Sequence, residues 1–63
     1  MKIIDLLDIL NPDRSVRVIR VGNCLPIAVY DSIKSVRLKL ALEDVVGLDM
    51  NTETGSYEIY INY

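Results

Sequence analysis

Apolar and polar residues alternate most cleanly near the C-terminal end of the chain. Tyr57, Ile59, Ile61 and Tyr63 fall on one face, and Glu58, Tyr60 and Asn62 on the other. A period of two is the mark of a strand with one buried face. Just upstream, VVGLDMN places Val46, Leu48 and Met50 on one face and Val45, Gly47 and Asp49 on the other. Thr52-Glu53-Thr54-Gly55 joins the two arms, and Gly55 supplies the positive φ that such loops commonly need. The pattern predicts a β-hairpin over Val45 to Tyr63.

Lys2 to Leu10 has a helical pattern instead. Ile3, Leu6, Leu7 and Leu10 form one apolar stripe, with Asp5 and Asp8 opposite. Asn11-Pro12 ends the helix, because Pro12 disfavours a helical Asn11. A helix this short is marginal in water and has to dock on a sheet. Ser15 to Val21 reads as a strand with an irregular pattern. Either both faces are partly covered, or a bulge near Val18-Ile19 resets the register and brings Arg17 and Arg20 together. Gly22-Asn23 marks a turn to an antiparallel second strand, Leu25 to Ile33, with Pro26 tolerated near its start.

Val36, Leu38, Leu40 and Leu42 alternate with Arg37, Lys39 and Ala41, which favours a strand, although Ile33, Val36 and Leu40 also fit a short helical turn. The layout is α+β: one N-terminal helix packed on a four- to five-stranded, mainly antiparallel sheet that ends in a C-terminal hairpin. Residues 1–63 make a single small domain.

Three stretches, IIDLLDILNPDRSVRVI, DSIKSVRLKLALEDVVGLDM and TGSYEIYI, give the chain an order of pieces that resembles short uncharacterised phage- and prophage-type proteins of Gram-positive bacteria. In that group the middle reads as strand, short helical turn, strand. The resemblance therefore implies a helical turn over Val36 to Ala41, against the alternation. It brings no established active site.

Composition narrows the chemistry. The chain is 51% hydrophobic with no Trp or Phe, so a small aliphatic core is expected and self-association with it. The single Cys24 rules out an internal disulfide and reads as a small buried or half-buried thiol. With no His, neither a Cys-His nucleophile nor a tetrahedral zinc site is available within one chain. Asp5 and Asp8 interrupt the opening apolar run, which argues against a secretory signal, and no stretch is long enough to span a bilayer. A cytoplasmic protein with no membrane contact follows.

The 9 carboxylates show no convergent acid/base pair, and there is no P-loop, GxGxxG, GxSxG or CxxC. Neither an enzyme nor a cofactor is expected. Charge is segregated: Arg14, Arg17, Arg20, Lys34, Arg37 and Lys39 precede Glu43 with only Asp31 among them, whereas Glu43, Asp44, Asp49, Glu53 and Glu58 follow with no base. Strands of opposite sign paired across the sheet would account for this.

These observations lead to a non-enzymatic interaction module acting by protein–protein binding or self-association as a homo-oligomer. Tyr60, Tyr30 and Glu58 are its candidate protein contacts. A nucleic-acid-binding alternative would use Arg14, Arg17, Arg20, Arg37 and Lys39, against a net charge of −2. A small-ligand binder at an oligomer interface is a further alternative.

Overall fold

The alternation of the last strand is realised in its burial: Ile59 and Ile61 have no exposed surface, and Tyr57 packs on the same cluster. The computed structural model describes residues 1–23 and 25–62. A 3-10 turn at Ile3–Leu6 leads to strands β1 (Val16–Arg20) and β2 (Pro26–Tyr30). A second 3-10 turn at Ile33–Ser35 and a one-turn helix, α1 (Leu38–Ala41), lead to β3 (Val45–Asn51) and β4 (Ser56–Ile61). The readings of Cys24 as a buried or half-buried thiol and of Tyr63 as inward-facing lie outside the described residues.

The four strands form one sheet in the order β2-β1-β4-β3. Both flanking pairs are antiparallel, as expected, but the central pair is parallel, which makes the sheet mixed. Val16 lies beside Tyr57, Val18 beside Ile59 and Arg20 beside Ile61. The parallel pair follows from the route of the chain. After β2 it crosses one face of the sheet, enters the far edge as β3, and the hairpin returns β4 to the vacant place beside β1. A hairpin has a local signal at its turn, whereas this pairing joins strands far apart in sequence.

The crossing segment and the N-terminal turn supply the cover. Ile3, Leu6, Leu10 and Ile33 bury against Val16, Val18, Ile59 and Ile61, with Val36 and Leu40 packed around them. The apolar stripe of the N-terminal segment is therefore in place, but its helix is not the regular one expected over Lys2 to Leu10. The amide of Lys2 donates to Asp5 Oδ2 at 2.8 Å, and that of Asp5 to the Lys2 carbonyl at 3.0 Å, which tightens the first turn. Ile3 meanwhile donates its amide to Glu43 and Met1 accepts from Val45, forming a small bridge of Lys2 to Asp44 rather than a fifth strand. Too few residues remain for an α-helix to propagate.

Alternation also misleads in the middle of the chain. Leu38 and Leu42 are 67% and 50% exposed, and the residues that pack are Ile33, Val36, Leu40 and Ala41. Helical spacing wins because this segment crosses and seals one face of the sheet, where Ile33, Val36 and Leu40 reach the core. The second strand is likewise shorter than Leu25 to Ile33, since Ser32 caps the next turn by accepting from the Lys34 amide.

Two bulges adjust the faces. One lies at the Val18/Ile19 step, but its extra residue is Ile27 of β2. Along β4, β1 keeps a regular register, so Arg17 and Arg20 take opposite faces and do not converge. The other makes Val46 the extra residue, because Val45 lies opposite Ile61 and Gly47 opposite Tyr60. Val45, expected on the face away from Leu48 and Met50, turns to the core, and Val46 is 56% exposed. Both turn glycines have positive φ, 91° at Gly22 and 73° at Gly55.

Ile59→Ala should lower stability by about 2–5 kcal/mol in urea unfolding, since it opens a cavity at the sheet centre, whereas Leu38→Ala should stay within about 0.5 kcal/mol. Gly55→Ala should also destabilise: a Cβ there meets Arg14 Nη1 at 2.9 Å in a backbone conformation that L-residues rarely adopt.

Candidate functional site

β2 is an outer strand, and its free side is open. Ala28 and Tyr30 turn toward the core, while Ile27 and Val29 are 39% and 58% exposed. These four consecutive residues nevertheless line a single groove of about 490 Å³, with Arg37, Lys39 and Leu40 as the opposite wall. Successive side chains of a strand point to opposite faces. A groove that meets all four therefore runs along the strand edge, where backbone donors and acceptors are unpaired.

The second wall is set by the crossing segment. Buried Ile33 anchors the 3-10 turn, and Val36 is extended. Arg37 precedes α1, whose half-buried Leu40 faces the groove. Arg37 and Lys39 are both exposed. Among the described residues the one ion pair is Lys2 with Asp44, at 3.3 Å, so both groove cations lack an acidic partner. The site offers a strand edge, apolar contacts and two positive charges.

The structure redistributes the expected contact residues. Tyr30, a candidate protein contact, meets Arg37 and Lys39, which belonged to the nucleic-acid alternative. The other three cations lie outside the groove. Arg14 donates to the Gly55 carbonyl at 3.1 Å, Arg17 stands in register between Val29 and Glu58, and Arg20 lies beside Ile61 at the end of β1. Ile27, Val29 and Leu40 were not picked out by sequence reasoning. Pro26 at the head of an uncharged strand was the available signal, because proline is confined to edges, strand starts and bulges.

Tyr60 and Glu58 occupy the sheet face that carries no helical cover. The Tyr60 ring lies against Gly47, where an added Cβ would stand 3.5 Å from Tyr60 Cβ and Cδ2. Its hydroxyl donates to Glu58 Oε1 at 3.4 Å. The phenol is pushed above its ordinary value of 10.0, first by burial, then by the charge and hydrogen bond of Glu58, and last by Asp49. Glu58 and Asp49 are direct cross-strand neighbours of like charge, with Arg17 in register on the other side of Glu58. The expected pairing of opposite signs thus reaches strand register at Arg17 and Glu58 without an ion pair within 4.0 Å.

Among the described residues no group of three or more His, Cys, Asp or Glu side chains gathers as a metal site, and no helix is long and apolar enough to cross a membrane. Comparison with protein-family models, with curated proteins and with solved structures returns no match.

Because the raised phenol favours the protonated folded state, its stabilising contribution is complete below the unfolded pKa, near 10, and is lost as pH rises through the folded value. Tyrosinate absorbance should therefore show Tyr60 ionising late. Glu58→Gln should bring that ionisation back toward the ordinary range, and an unchanged Tyr60 titration in this variant would remove Glu58 as a cause.

Proposed function

We propose that this chain is a non-enzymatic interaction module that takes an extended protein segment along the free edge of β2. The observation that carries this reading is the groove lined by residues 27–30 of one edge strand. A segment laid there adds a strand to the sheet. Main-chain hydrogen bonds then supply affinity, and alternate side chains meet the two walls. Arg37 and Lys39 favour a segment that carries carboxylates. Binding by pairing needs little preorganised cavity, which suits a domain this small.

A phosphate-binding reading draws less support, because Arg14, Arg17 and Arg20 do not share the groove with Arg37 and Lys39. Recognition of a nucleic-acid backbone requires several cations to track successive phosphates together.

An alternating Val-Glu peptide of about eight residues, close to the usual strand length, tests the reading by NMR titration. The amides of β2 and of residues 37–40 should shift, and Arg37→Glu with Lys39→Glu should abolish the response while leaving the rest of the spectrum in place. Shifts confined to the Tyr60 face, or none at millimolar peptide, would sink it.

A further inference from the structure

We infer that the segment that fits the β2 edge is β3 of a second copy, so that copies add head to tail into one continuing sheet. This rests on the reading of the β2 edge given above and names its partner.

The strand order puts β2 and β3 at opposite edges. It also converts the charge segregation of the sequence into a polarity across the molecule. Arg17 and Arg20 lie on β1, and Arg37 and Lys39 border β2, with Asp31 as the one acid between Arg14 and Lys39. The far half holds Asp49 on β3, Glu53 in the hairpin loop and Glu58 on β4. Lys2 bonds the Leu42 carbonyl and Asp44 at the start of β3, which closes that end of the edge and neutralises Asp44. Beyond the bulge at Val46, residues 47–50 form the open part of this edge, with the Met50 amide donating to Asp49 Oδ1 at 2.8 Å, and they include neither a cation nor a proline that would guard it.

The apolar surfaces also match. Val46, Leu48 and Met50 are 56%, 47% and 37% exposed. Leu48 and Met50 lie opposite Ile59 and Tyr57, on the face that carries the helical cover, but at an edge the cover does not reach. When a second sheet continues the first with faces kept, these two side chains enter the groove beside Leu40. The incoming backbone then pairs with the open side of β2. The groove has two unpaired cations and the β3 edge has uncovered apolar side chains, while Asp49 keeps to the opposite face beside Glu58 and Glu53 is exposed in the hairpin loop at the end of the strand.

Charge decides between this arrangement and the symmetric ones. Pairing β3 with β3 sets the acidic halves together, and pairing β2 with β2 sets Arg37 and Lys39 against their own copies; like charges oppose both. The favoured contact joins unlike edges and leaves one of each free, so growth does not stop at two copies unless a ring closes. The contact is small and its charges are exposed, so association strengthens with concentration and weakens with salt.

Sedimentation and light scattering up to about 1 mM chain, where contacts of millimolar Kd register, test this on the wild type and two charge variants. Wild-type mass should climb beyond two chains and fall with added salt. Arg37→Glu with Lys39→Glu, and separately Asp49→Lys with Glu53→Lys, should each stay monomeric, and an equal mixture of the two should regain mass. All four side chains are exposed, and circular dichroism checks that the folds persist. Independently, β2 and β3 amides of the wild type should broaden together as concentration rises. A plateau at two chains, or broadening of one edge alone, overturns the inference in favour of a symmetric dimer. A wild-type chain that stays monomeric while the Val-Glu peptide still binds β2 overturns it and leaves the strand-addition reading intact; loss of both overturns the two together.

Discussion

The structure depends on the parallel pairing of β1 with β4. Val16, Val18, Ile59 and Ile61 have no exposed surface, and all four belong to these two strands. Burying an aliphatic side chain is worth about 1.5–3 kcal/mol, and a domain of this size has few other sources of stability. Of the three strand pairings it also closes the longest loop, so the hairpin and the crossing segment have to be in position for it to persist. Each outer strand then needs only one neighbour, and it has one in β1 or β4.

The cover over this pair is thin. Two 3-10 turns and one turn of α-helix replace the long helix that usually seals a small sheet. Ile3, Leu6 and Ile33 reach the sheet centre, where burial is complete, and the cover ends before the edges. Leu48 and Met50 stay partly exposed beyond it on one side, and on the other side the gap between β2 and α1 is the groove. The same shortage of helical residues that makes the core small thus leaves edges available for pairing. Tyr60, which sequence alternation singled out, is partly engaged with Gly47 and Glu58 and serves the sheet before any partner.

Edges of this kind are a hazard as well as an opportunity. Proline, charge and bulges are the usual guards against indiscriminate pairing. This chain has Pro26 at the head of β2, the Lys2 bridge at the head of β3, and a bulge in each of the two outer strands. Unlike signs at the two edges then favour some pairings over others.

Local pattern by itself determined the hairpin, the inward face of Tyr57, Ile59 and Ile61, the apolar stripe of Ile3, Leu6 and Leu10, and the turns at Gly22 and Gly55. Each of these is a matter of side-chain period or backbone φ over a few residues. Tertiary structure decided the rest. Val36 to Leu42 alternates like a strand, yet Leu38 to Ala41 form a helical turn, because the sheet face beneath rewards burial of Ile33, Val36 and Leu40 more than pairing. Val45 turns to the core and Val46 is left unpaired because a bulge fits β3 to β4 while the N-terminal segment bonds residues 43–45. The parallel centre has no local signature at all. The meeting of Tyr30, Arg37 and Lys39 at one groove was hidden for the same reason: it depends on which strand is left at the edge, and strand order is set by contacts between residues far apart in the chain.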